Sequence, residues 1–253
     1  MENVNPWDPA LYDAVLEGRD RAPWEIEVYT ALARSVGGPV LELGAGTARV
    51  LKELLLKGVD AYGLELDERM AAAGRRKLSA EGRTDASERL LVGDMSSFSH
   101  PRRYRLAILP YNTLSLVHDE EGLSALLDCV ALHLLPGGEF AFDMVLPETF
   151  PYVRPPYEAV PFECQLEVEG VDVRFCERGR YEPESRIVTL TRTFTFSDGL
   201  VREIELRLYH WPVPTLERVL QSHGYEFTVP ALDERGHPVS ETSVIYMARV
   251  RRE

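Results

Sequence analysis

The residues whose types and spacing could do chemistry are Glu42, Gly44 and Gly46 in VLELGAGTARV (40–50), Glu65 nineteen positions beyond Gly46, and Asp94 in Gly93-Asp94-Met95. Val40, Leu41 and Leu43 supply a short apolar strand, the glycines permit a tight turn, and Val50, Leu51, Leu54 and Leu55 recur at helical spacing. The turn therefore lies at the carboxyl end of a strand and below a helix amino terminus, whose amide groups can face a ligand. In a doubly wound sheet this junction holds an adenosine-containing molecule, and an acid roughly 20 residues further on accepts from ribose hydroxyls.

The elements that must position these residues follow in order. The first helix of the sheet ends near Lys57-Gly58, a second strand runs Ala61 to Leu66 and delivers Glu65, and Asp67 opens the next helix as its cap. A third strand, Arg89 to Val92, delivers Asp94; Leu106 to Leu109 reads as a fourth. Leu134 to Phe142, LLPGGEFAF, closes a helix, turns and enters a fifth. A proline-rich passage, Pro147 to Pro161, then gives way to alternation: Val171, Val173 and Phe175, then Val188, Leu190, Phe194 and Phe196, with Ser197-Asp198-Gly199 as a hairpin turn into Ile204, Leu206 and Leu208. An antiparallel sheet of three or four strands is expected there, long enough to lie over the ligand edge. Helical spacing resumes at Thr215 and ends at His223-Gly224, before strands at Tyr225 to Ala231 and Ser243 to Ala248. The fold expected is α/β: a Rossmann-like, doubly wound, seven-stranded, mainly parallel sheet with an inserted antiparallel β-sheet lid. Residues 1–39 would be helices covering the cofactor site, 40–146 and 210–253 the core, and 147–209 the lid.

The dinucleotide fingerprint G-x-G-x-x-G fails at its sixth position, which is Arg49. Glu42 to Ala48 instead resembles the E-x-G-x-G-x-G motif of class I S-adenosylmethionine-dependent methyltransferases, with Ala48 in place of the last glycine, where alanine takes a left-handed conformation less freely. That resemblance extends along nearly the whole chain and is nearest to small-molecule members such as glycine and amino-sugar N-methyltransferases. It implies S-adenosyl-L-methionine as cofactor, bound by Glu42, Gly44, Ala45 and Gly46, by Glu65 with Leu66 at its ribose, by Asp94 at the adenine amine and Met95 beside the ring, and by Tyr111 and Asn112. Tyr12 resembles a tyrosine that covers the methyl group in the family, and His118 and His210 are candidate bases. The acceptor would be a small molecule attacked at nitrogen or oxygen. Displacement at a sulfonium releases a neutral leaving group, so alignment and exclusion of water matter more than acid catalysis. Of the family's [DN]-P-P-[YF] segment only Pro110-Tyr111 survives, which removes support for nucleobase or glutamine modification.

Each of these residues also has a purely structural reading, since glycines turn chains and histidines and tyrosines pack. What favours a ligand is that the acids and glycines fall at the ends of successive strands. Two rival functions stand beside the enzyme: a noncatalytic protein that keeps the fold and binds a ligand or partner, and a nicotinamide-dependent oxidoreductase resting on Glu65. A net charge of −13 disfavours nucleic acid, and no segment reads as an export signal or membrane span. Cys129, Cys164 and Cys176 are widely separated without C-x-x-C, which argues against a metal and for a reducing, cytoplasmic setting. Oligomeric state is not written in the sequence.

Overall fold

The computed structural model describes residues 8–18, 24–146, 151–229 and 243–250. In chain order the helices and strands begin α1 (Pro9–Gly18), α2 (Trp24–Val36), β1 (Val40–Leu43), α3 (Arg49–Leu56), β2 (Ala61–Glu65), α4 (Glu68–Ala80), α5 (Ala86–Arg89), β3 (Leu90–Val92), β4 (Tyr104–Leu109), α6 (Glu120–His133) and β5 (Leu134–Val145). Then come β6 (Phe162–Val168), β7 (Val171–Glu182), β8 (Ile187–Phe196), β9 (Val201–Tyr209), α7 (Val213–Ser222), β10 (Tyr225–Thr228) and β11 (Ser243–Val250). Two compact units result, one from Pro23–Val145 with Pro212–Glu253 and one from Met1–Ala22 with Leu146–Trp211.

The larger unit holds a seven-stranded sheet of order β10-β11-β5-β4-β1-β2-β3. β3, β2, β1, β4 and β5 are parallel neighbours, and β11 runs antiparallel to both β5 and β10. All four residues of β1 are buried, as expected of a parallel strand covered on both faces. Its neighbours are β2 and β4, so the winding direction reverses between β1 and β4, and the crevice of an open α/β sheet opens at the carboxyl ends of those two strands. Tyr29 and Ala33 of α2, Leu51 and Leu54 of α3, and Ala71 and Leu78 of α4 pack with Val40, Leu106 and Ile108 in one cluster. Each fully buried leucine there contributes about 2 kcal/mol. α6 and α7 pack on one another, and the Tyr225 hydroxyl donates to Leu127 O at 2.8 Å, tying β10 to α6. Asp67 caps α4 as expected, accepting from the Arg69 and Met70 amides at 2.7 and 3.4 Å.

The smaller unit is a four-stranded antiparallel meander, β6-β7-β8-β9. Two residues at positive φ, Glu169 and Gly170, turn β6 into β7, a tight hairpin for which the sequence reading made no provision. The expected Ser197-Asp198-Gly199 turn joins β8 to β9, closed by the Phe196 amide donating to Leu200 O at 2.9 Å. Leu166, Val173, Phe175, Phe194 and Ile204 are buried. On the same face Arg192 Nε donates to Glu177 Oε2 at 2.5 Å, and burial of an ion pair requires such close pairing. α1 buries Leu11, Ala14 and Val15 and packs on β6.

Three boundaries differ from the sequence reading. Of the amino-terminal helices, α1 groups with the meander and α2 with the seven-stranded sheet. β4 begins at Tyr104, and β5 includes the Pro136-Gly137-Gly138 stretch read as a turn, with a register shift opposite Tyr104/Leu106 that absorbs the irregularity. β10 ends at Thr228; positions 230–231 of that expected strand lie outside the described residues.

Candidate functional site

The loop after β1 is built by Glu42, Gly44, Ala45, Gly46 and Ala48. Gly44 and Gly46 have φ of 65° and 56°, and the Ala45 amide donates to Leu64 O at 2.9 Å, which pins the turn to β2. Ala48 is itself left-handed, φ 65° and ψ 33°, and fully buried as the cap of α3. The alanine thus adopts the conformation a glycine would have taken, at about 1–2 kcal/mol, held there by the packing around it. Among the described residues no side chain caps α3.

Glu42 is 3% exposed, and among the described residues its Oε2 has no hydrogen-bond partner. Burial drives its pKa up to about 8, opposed by the nearby Arg49 charge and the Leu51 amide, and reinforced by Glu65. A buried carboxylate with an unused oxygen is suited to a cation. Glu65, at the end of β2, turns toward the same loop: Oε2 accepts from the Gly46 amide at 2.8 Å and Oε1 from the Asp67 amide at 2.9 Å. Burial raises its pKa, while those amides lower it. Each oxygen retains acceptor capacity, so the carboxylate that braces the turn can also take a hydroxyl.

Asp94 is exposed beyond β3, with Oδ1 accepting from the Ser96 amide at 2.8 Å, and Met95 beside it is half-buried. Leu66 and Val92, next to Glu65 and Asp94, are 47% and 44% exposed, an apolar surface at strand ends of the kind an aromatic base can cover.

The loop after β4 holds Tyr111 and Asn112, both at positive φ. The Arg49 guanidinium lies over the Tyr111 ring, 5.1 Å from its centroid. The Asn112 side chain faces its own scaffold, with Oδ1 accepting from the Val145 amide at 3.1 Å and Nδ2 donating to Ser115 Oγ at 3.2 Å. Thr113 of this loop meets Gly44 of the other, so the two sides of the crevice are in contact. Asp143, an acid in the apolar run FAFDMV, accepts from both the Tyr111 and Asn112 amides at 2.7 Å. The sequence reading missed it; a lone acid near the end of a buried strand was the available signal.

His118 is exposed, just before Asp119, which caps α6. Tyr12 and His210 belong to the smaller unit. Tyr12 is half-buried on α1. His210 is buried, stacks on Tyr181 at 5.4 Å and lies 5.9 Å from Tyr152, with Nδ1 unpartnered among the described residues. Desolvation lowers its pKa to about 4, which keeps it neutral but makes it a weak base. Among the described residues no group of three or more His, Cys, Asp or Glu could hold a metal, and no helix is long and apolar enough to cross a membrane.

Comparison with known proteins finds likenesses in both sequence and fold. Residues 40–138, from β1 into β5, match the methyltransferase domain family. An uncharacterised methyltransferase of Geobacillus sp. (strain WCH70) is 36% identical over 72 residues, 26% of this chain and 34% of that relative, so the match spans about a third of its length. A S-adenosylmethionine-dependent methyltransferase from Clostridium acetobutylicum ATCC 824 has a similar structure, with TM-score 0.76, 16% identity, and coverage of 96% of this chain and 97% of that one. The sugar N-methyltransferase KedS8 from Streptoalloteichus sp ATCC 53650 gives TM-score 0.72, 23% identity, and coverage of 96% and 93%. The fold and the glycine turn define a class I methyltransferase architecture. Over residues 40–138 the chain is similar to the methyltransferase domain family, and its fold is that of the methyltransferases above, with an antiparallel four-stranded sheet following its fifth strand.

Proposed function

We propose that the protein is an enzyme that transfers a methyl group from S-adenosyl-L-methionine to a nitrogen or oxygen of a small molecule. The observation that carries this reading is the buried Glu42 with its unpartnered Oε2, directly before a glycine turn at the switch point of the sheet. The residues fit the cofactor: the carboxylate suits its ammonium and sulfonium charges, Gly44 keeps the turn free of side chains, Glu65 can accept from the ribose hydroxyls, and Asp94 can accept from the adenine amine. Leu66, Met95 and Val92 offer the base an apolar surface, and Tyr111 is a proposed contact for the cofactor or the acceptor.

When bound, the cofactor supplies an electrophilic methyl group on a sulfur that leaves uncharged. The chain's own residues then have to hold donor and acceptor in line and exclude water. A neutral amine needs no enzymic base. His210, neutral and weakly basic, is better suited to accept a hydrogen bond from an acceptor than to remove its proton. Tyr12 as a cover for the transferred methyl and His118 as a base are further proposals. The sugar N-methyltransferase among the structural relatives, and the excess of acidic residues, support an amine-bearing small molecule, with no nucleic acid or membrane partner. Three cysteines, widely separated and without C-x-x-C, fit a reducing compartment such as the cytoplasm.

The test is incubation with methyl-labelled S-adenosylmethionine and a panel of amino sugars, simple amines, alcohols and carboxylic acids. Label should pass to an amine or hydroxyl compound. Cofactor binding without transfer to any member would replace this reading with a noncatalytic binding protein.

A further inference from the structure

Tyr111 and Asn112 are consecutive non-glycine residues with φ of 64° and 55°, a conformation such residues keep only when their surroundings over-determine it. Their two amides form a concavity of the kind that binds an anion, and the chain fills it with its own carboxylate. Asp143 Oδ1 takes the Tyr111 amide and Oδ2 the Asn112 amide, each at 2.7 Å. Tyr29 of α2 completes the arrangement, its hydroxyl donating to Asp143 Oδ1 at 2.8 Å. Asp143 is 2% exposed and Tyr29 fully buried, so water does not compete. The Tyr111 ring that leaves this turn carries the Arg49 guanidinium.

We propose that Asp143 and Tyr29 are positioning residues of the methyl-donor site: they hold the Tyr111-Asn112 turn so that the Tyr111 ring keeps the Arg49 charge near Glu42. The inference rests on the function proposed above. Neither residue is among those assigned to the cofactor. The charged groups acting on Glu42 are Arg49 from α3 and Glu65 from β2, with the Leu51 amide as a further donor. Displacing Arg49 therefore makes Glu42 harder to ionise, and a cationic ligand is bound best when Glu42 is charged.

The experiment measures S-adenosylhomocysteine binding from pH 6 to 9 in the full chain and in Asp143→Asn, Tyr29→Phe and Tyr111→Ala, at a temperature where unfolding curves show each folded. An asparagine presents an amide to one of the two N–H groups, so Asp143→Asn should weaken binding about tenfold and move the pH midpoint of binding upward. Tyr29→Phe should act in the same direction by about two- to threefold, and Asp143→Asn with Tyr111→Ala should be no weaker than the worse single variant. Should Asp143→Asn not fold, Tyr29→Phe and Tyr111→Ala carry the test. Unchanged affinity and midpoint in folded variants, with only thermal stability reduced, would overturn the positioning role while leaving the function intact. A native chain that does not bind S-adenosylhomocysteine overturns both. Hydrogen exchange separates the structural premise: the Tyr111 and Asn112 amides should be protected in the native chain and exposed in Asp143→Asn.

Discussion

Thr113 stands where a side chain on Gly44 would have to go: a Cβ placed on Gly44 would lie 2.9 Å from Thr113 Cγ2. The loops after β1 and β4 therefore meet with no room for a methyl group, at a residue whose φ of +65° already disfavours one. Gly44→Ala should lower stability by about 1–3 kcal/mol and weaken S-adenosylhomocysteine binding. Adding Thr113→Ser, which removes the obstructing methyl, should recover part of both losses, and a double-mutant cycle by urea unfolding and calorimetry reads the coupling. Additive effects would mean the two loops do not constrain each other.

Glu42 makes stability depend on pH. Its folded pKa, about 8, lies above the ordinary 4.5, so between those values the native chain binds more protons than the unfolded one. Stability should fall as pH rises through that window, by up to about 5 kcal/mol. Glu42→Gln should unfold at higher urea than the native chain at pH 8 and bind S-adenosylhomocysteine about tenfold more weakly, exchanging affinity for stability.

His210 has the opposite sign. Its folded pKa, about 4, lies below the ordinary 6.5, so the unfolded chain binds more protons between those values, and this contribution is lost as pH falls from 6.5 to 4. The His210 imidazole signals should stay at their neutral position from pH 5 to 8. A midpoint near 6.5 would place the ring in solvent and restore it as a candidate base.

Ala48 tests how the last glycine of the motif was replaced. Ala48→Gly relieves the left-handed strain but loses a buried methyl, two effects of about 1 kcal/mol each, so the variant should unfold within about 1 kcal/mol of the native chain. Ala48→Val puts a branched side chain in a left-handed, fully buried position and should lose at least about 3 kcal/mol.

Much of the larger unit was legible because its signals are local. The apolar run before Gly44, the acids Glu65 and Asp94 at strand ends, and the Asp67 cap follow from period and punctuation over a few residues. The Tyr29–Asp143 hydrogen bond spans 114 positions and leaves no such trace. Leu-Pro-Gly-Gly reads as a turn in isolation; in the fold Leu134 pairs with β4 and the ladders with β4 and β11 resume at Glu139, so the stretch between is a bulge within β5. Nothing in the sequence near Leu11 and Val15 reveals that α1 packs on β6 rather than beside α2. Likewise, no spacing rule distinguishes a buried His210 from an exposed His118.

The measurement closest to the central claim is a calorimetric titration of the native chain and Gly46→Arg with S-adenosylhomocysteine, with NAD as a control. The account predicts one equivalent bound by the native chain, none by the variant and no heat from NAD. Absence of native binding, equal binding by both chains, or tight binding of NAD alone would contradict it.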